Sequence, residues 1–124
     1  MNELTREQIL SMPAGRELDN LIVKYVLRKT TSKDRPNWYL IYGTTSSSVQ
    51  EWAKIPRYST DIAAAWEVVG KMHEDERWTL ALERDSETNE WIADFNELGL
   101  SPAGVGKTAQ EAIIKAALLA VMGL

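Results

Sequence analysis

Residues 101–123 read SPAGVGKTAQEAIIKAALLAVMG, and two readings of this stretch lead to different folds. In the first, Gly106-Lys107-Thr108 closes a P-loop, which implies a parallel sheet around a bound nucleotide. That pattern needs a glycine five positions before Gly106, and Ser101 stands there. Pro102 also removes a backbone donor that a phosphate cradle would use. Only one helical segment follows in this sequence, so no later strand can supply a magnesium-binding aspartate. In the second reading, Thr108-Ala109-Gln110-Glu111 is a T-x-x-E capping box, and Thr108 starts a helix instead of touching a metal. This reading predicts a helix from Thr108 to about Met122. Gly104 and Gly106 then form a connection that could shape a small anion nest at the helix start.

The predicted helix carries a second message. From Ala112 to Met122 only Lys115 is polar, and Glu111 with Lys115 forms an i, i+4 pair along the one polar edge. A surface helix shows a single apolar stripe, so this one must be buried on more than one side. A chain of 124 residues offers few covering partners, and a homo-oligomer built on two-fold contacts is expected to cover it.

Upstream, Trp78–Arg84 and Glu90–Asn96 alternate as strands. Trp78, Leu80 and Leu82 share one face of the first, and Trp91, Ala93 and Phe95 one face of the second. Asp85–Asn89 suits the turn between them. Ser59-Thr60-Asp61 is a helix start, and Ile62, Ala65, Trp66, Val69 and Met72 form the apolar stripe of a helix ending near His73. Trp38–Tyr42 reads as a strand, followed by a low-complexity TTSSS loop. Residues 48–58 are ambiguous, with Pro56 against a central strand. Lys29–Asn37 is a loop. Thr5–Gln8 is a capping box for a short helix to about Ser11. A second helix, with Leu18, Leu21, Ile22 and Tyr25 on its stripe, follows Pro13-Ala14-Gly15 and reaches Leu27 or Arg28. The predicted class is α+β in a single domain, residues 1–124, in the order α-β-α-β-β-α with one uncertain strand.

Composition is that of a globular chain, 44% hydrophobic and 26% charged. The net charge of −4 argues against nucleic acid and anionic membranes as partners. There is no cysteine, hence no disulfide or thiol nucleophile. The N-terminal stretch lacks a signal-peptide core, and no apolar run is long enough to span a bilayer, so a cytoplasmic location in the host cell is expected. His73 is the only histidine and suits a helix C-terminus, leaving no triad and no two-histidine metal site within one chain. No cofactor is called for, and no catalytic constellation can be assembled. Glu83 and Asp94 lie on neighbouring strands and could face the same way, which on a half-exposed sheet is ordinarily the wet face. Of the five tryptophans, Trp66 and Trp78 fit core positions, while Trp38, Trp52 and Trp91 could be core or a stacking surface.

The stretches LTREQILSMPAGRELDNLIVKYVL, YSTDIAAAWEVVGKM, EWIADF and TAQEAIIKAALLAVMG resemble the phage ABA-sandwich family, small proteins of Gram-positive phages and prophages. Lys115 stands where that family often has arginine, and residues 29–54 match nothing in it. The resemblance implies an antiparallel sheet layered between helices, and brings no catalytic motif. Residues 78–122 bear a weaker resemblance to HicB-type antitoxins. The double-stranded-RNA-binding domain ends in a similar order, but this helix lacks that domain's lysine cluster. Phage proteins of this kind imply a non-catalytic binder that sequesters a nucleotide-derived signal of host anti-phage defence, the alternative being a HicB-like antitoxin or an inhibitor that grips a host protein. For a small anionic, ring-bearing ligand, the candidate residues are Arg57, Tyr58, Phe95, Lys107 and Lys115. Arg57-Tyr58 and Lys107 each adjoin a helix N-terminus, and Phe95 supplies a ring.

Overall fold

The computed structural model describes residues 4–74, 78–96 and 103–124. The elements are α1 (Arg6–Ser11), α2 (Arg16–Leu21), β1 (Trp38–Tyr42), β2 (Glu51–Lys54), α3 (Ile62–His73), β3 (Thr79–Arg84), β4 (Trp91–Asn96), β5 (Ala103–Gly106) and α4 (Ala109–Met122). Helix α2 continues as a π-helical turn, Ile22–Val26. Two antiparallel sheets result, a ribbon β1-β2 and a three-stranded sheet β3-β4-β5. The fold is α+β, as expected.

Capping does much of the local work. Both halves of the Thr5–Gln8 box form, at 2.8 and 3.1 Å. Thr108 caps α4 by accepting from the Glu111 amide at 3.2 Å. Its box is modified, because the Glu111 carboxylate reaches the Lys107 amide instead of that of Thr108. The cap of α3 is Asp61, whose side chain accepts from the Ala63 amide. Ser59, one of the expected caps, is buried elsewhere.

Helix α4 is the centre of the molecule. Every residue from Ala112 to Ala120 is buried, by the sheet on one side and by α1, the α2 segment and α3 on the others. This corrects the argument for an oligomer: one chain covers the helix by itself, and its all-round apolarity calls for no second copy. The sheet approaches closely because of its glycines. β5, expected as a connection, pairs with β4, Ala93 opposite Gly104 and Trp91 opposite Gly106. A Cβ at Gly104 would collide with the α4 backbone at Ala112 and Ala116. The glycines that mimic a phosphate loop are therefore contact points for a helix.

The face of α3 also differs from expectation. Ala64, Ala65, Val68, Val69 and Met72 are buried, whereas Ile62 and Trp66 are 41% and 50% exposed. Small residues let α3 lie close to α4, and the bulky side chains at the edge of the stripe turn outward. Trp78 and Trp91 pack partly buried against the core. Strand β2 lies within the ambiguous stretch, ahead of Pro56.

Candidate functional site

Three helix starts meet at one pole. Asp19 in α2 is fully buried and accepts from the Ser59 amide (2.8 Å) and hydroxyl (2.7 Å). The Ser59 hydroxyl in turn accepts from the Gly15 amide at the start of α2. Arg16 pairs with Asp19 at 3.0 Å and donates to the carbonyls of Ile55 and Pro56. This network fixes the chain entering α3 against the beginning of α2. Gln110, in the first turn of α4, donates to the Thr60 carbonyl just before α3 at 3.2 Å. At the opposite pole, Arg28, Lys71, Met72 and Val121 line one cleft. The α2 segment, α3 and α4 thus run side by side in the same direction, and their dipoles add.

The charge distribution answers that addition. Acids Asp19, Asp61 and Glu111 sit at the pole of helix starts; Lys24, Lys71 and His73 sit in last turns at the pole of helix ends. Each placement opposes the local partial charge. The cations around that cleft, including Arg28 in a left-handed conformation (φ 56°), therefore have a structural reason to be there.

The candidate residues divide sharply. Arg57 and Lys107 are exposed at the pole of helix starts, and neither side chain is held by a hydrogen bond or ion pair among the described residues. The Arg57 carbonyl accepts from the Asp61 amide at 2.8 Å, which fixes the loop to α3. Tyr58 is 4% exposed. Burial, and then the proximity of Tyr39, Glu67 and Asp19, pushes its hydroxyl well above the usual phenol range. Phe95 is fully buried between β4 and α4. It is the expected stacking ring, but its place in the core leaves no face for a ligand. Lys115 is 3% exposed, with its Nζ 2.7 Å from Glu111 and 2.8 Å from the Leu10 carbonyl. It ties α4 to α1 and does not point to solvent. The structure thus brings Arg57 and Lys107 to one surface and places Tyr58, Phe95 and Lys115 behind it.

Glu83 and Asp94 do share the sheet face away from α4, since Ala81 pairs with Asp94 and Glu83 with Ile92. Asp94 Oδ1 is buried and has no hydrogen-bond partner among the described residues. Among the described residues, no group of three His, Asp or Glu side chains could hold a metal ion, and no helix is long and apolar enough to cross a membrane.

The expected site leaves out an aromatic ribbon, β1-β2. Residues 24–57 hold seven Lys and Arg against two Asp and Glu, a net +5, while the rest of the chain carries −9. Of these cations Lys33, Arg35 and Lys54 lie on or beside the ribbon, whereas Lys24 and Arg28 line the clefts at the helix ends and Arg57 sits at the start of α3. On the ribbon, the Arg35 guanidinium lies 4.5 Å from the Trp38 ring centre and 6.0 Å from that of Trp52.

Helix α4 and the sheet packed on it define a small α+β domain. The phage ABA sandwich domain matches residues 23–118, and the chain belongs to that family. A solved phage protein from Bacillus cereus is similar in fold, with a TM-score of 0.62 at 20% identity, over 87% of this chain and 91% of that one. No curated protein matches the chain.

Proposed function

We propose that this phage protein is a non-catalytic binder that sequesters a small anionic, ring-bearing ligand of nucleotide type at the pole where the three helix starts meet. The observation that carries the reading is the convergence of those starts, held by the Asp19–Ser59 network and the Gln110–Thr60 bond, with Arg57 and Lys107 beside them and unpaired among the described residues. The helix dipoles favour a phosphate there, and the two cations add charge-assisted bonds. Asp61 and Glu111 already cap two of the helices, so a phosphate must be held chiefly by the side chains.

The test is native mass spectrometry of protein purified from infected cells, followed by heat release and identification of any co-purifying small molecule. The reading expects an intact anionic ligand. Arg57→Ala should weaken its binding by about 1.5–3 kcal/mol, the range for a hydrogen bond to a charged group, with the fold unchanged. A cleaved product would make the protein an enzyme instead, and a protein co-purifying in place of a small molecule would favour the antitoxin or host-protein reading.

A further inference from the structure

The ribbon β1-β2 stands apart from the site just described. Tyr39 turns inward to the core, so its neighbours Trp38 and Leu40 turn away from it. Their register partners are Lys54 and Trp52, which share that outer face. Leu40 is buried without belonging to the main core cluster, so the outer face has its own small apolar floor beneath the tryptophans. Arg35 lies over both rings and makes no ion pair among the described residues. At the open end of the ribbon, Tyr42 is 62% exposed. Lys33, Arg35 and Lys54 are the cations of residues 31–54, against Asp34 and Glu51.

We propose that this outer face binds single-stranded nucleic acid. Bases stack on the Trp38–Arg35–Trp52 cluster, and Lys54, opposite Trp38, meets the phosphates. Three features favour that partner. Flat π surfaces accept any base, and guanidinium planes stack on bases as rings do. Trp38 and Trp52 are diagonal neighbours across the two strands, roughly 7–8 Å apart, so adjacent bases of an extended strand can meet one ring each. An acidic polypeptide would use the cations but leave the tryptophan faces idle.

The experiment is fluorescence anisotropy of a fluorescein-labelled oligothymidylate of about 20 nucleotides with the full chain. Binding is expected at 50 mM salt and should weaken roughly 20- to 50-fold at 200 mM, as for three or four neutralised phosphates on a single strand. Trp52→Leu and Lys54→Glu should each weaken it about tenfold or more. If Trp52→Leu loses its fold by circular dichroism, Arg35→Gln and Lys54→Glu carry the test. Four results overturn the proposal: no binding at about 100 μM protein in low salt; Lys54→Glu as tight as the wild type; a duplex bound as well as the single strand; or displacement by polyglutamate of equal charge, which assigns the face to an acidic protein. Failure here leaves the pole of helix starts untouched, because Arg57→Ala is read with a different ligand.

Discussion

Lys115 is the single polar residue in the apolar run of α4, and its role is internal. Its Nζ satisfies Glu111 and the Leu10 carbonyl, and removing it leaves the Glu111 carboxylate, 13% exposed at its side chain, without its cation. Lys115→Met should cost about 3–5 kcal/mol, and Glu111→Leu added to it should restore much of that loss. Urea unfolding of the two variants checks this; a single variant as stable as the wild type would remove the structural role. Thr108→Ala, which deletes the cap, should cost about 1 kcal/mol in the same assay. Tyr58 adds a pH dependence. Its hydroxyl is raised in the folded state, so the folded protein holds the proton more tightly than the unfolded chain. That contribution is intact below about pH 10 and is lost as pH rises beyond it, at about 1.4 kcal/mol per pH unit. Tyr58→Phe should flatten the alkaline arm of the stability curve.

At the scale of elements, α3 shows how a periodic stripe can be read one step off. Ala65, Val69 and Met72 belong to both the expected and the observed faces. Size favoured Ile62 and Trp66 for the rest, yet the packed positions are Ala64 and Val68. Trp66→Ala should therefore change stability by no more than about 0.5 kcal/mol. Val68→Ala should cost about 1.6 kcal/mol or more, for two buried methyl groups. Thermal unfolding distinguishes them, and the reverse order would return α3 to the expected face. The β5 strand makes a similar point. Its GxG alternation carries no hydrophobic signal, because what it contributes to the core is the absence of side chains against α4.

For the molecule as a whole, the buried helix separates two outcomes. Leu119 lies inside one chain, so Leu119→Asp should abolish the fold at every protein concentration. Circular dichroism with light scattering checks this: a variant that stayed folded and only lost mass would place Leu119 at an interface between copies. The parallel run of the α2 segment, α3 and α4 gives the molecule a dipole whose positive pole carries Arg57 and Lys107, the surface on which the proposed ligand site depends.

Much was legible in the chain by itself. The caps at Thr5 and Thr108, the β3-β4 hairpin, the failure of the P-loop and the α+β class all follow from interactions within a few residues of sequence. The family resemblance was carried by the same helices and strands. What only the tertiary structure decided is which apolar surfaces meet. Whether α4 is covered by its own chain or by another, whether Phe95 and Lys115 face a ligand or the core, and that three helix starts converge all depend on contacts between residues far apart in sequence. Local periodicity records that a side chain is to be buried, but not against what.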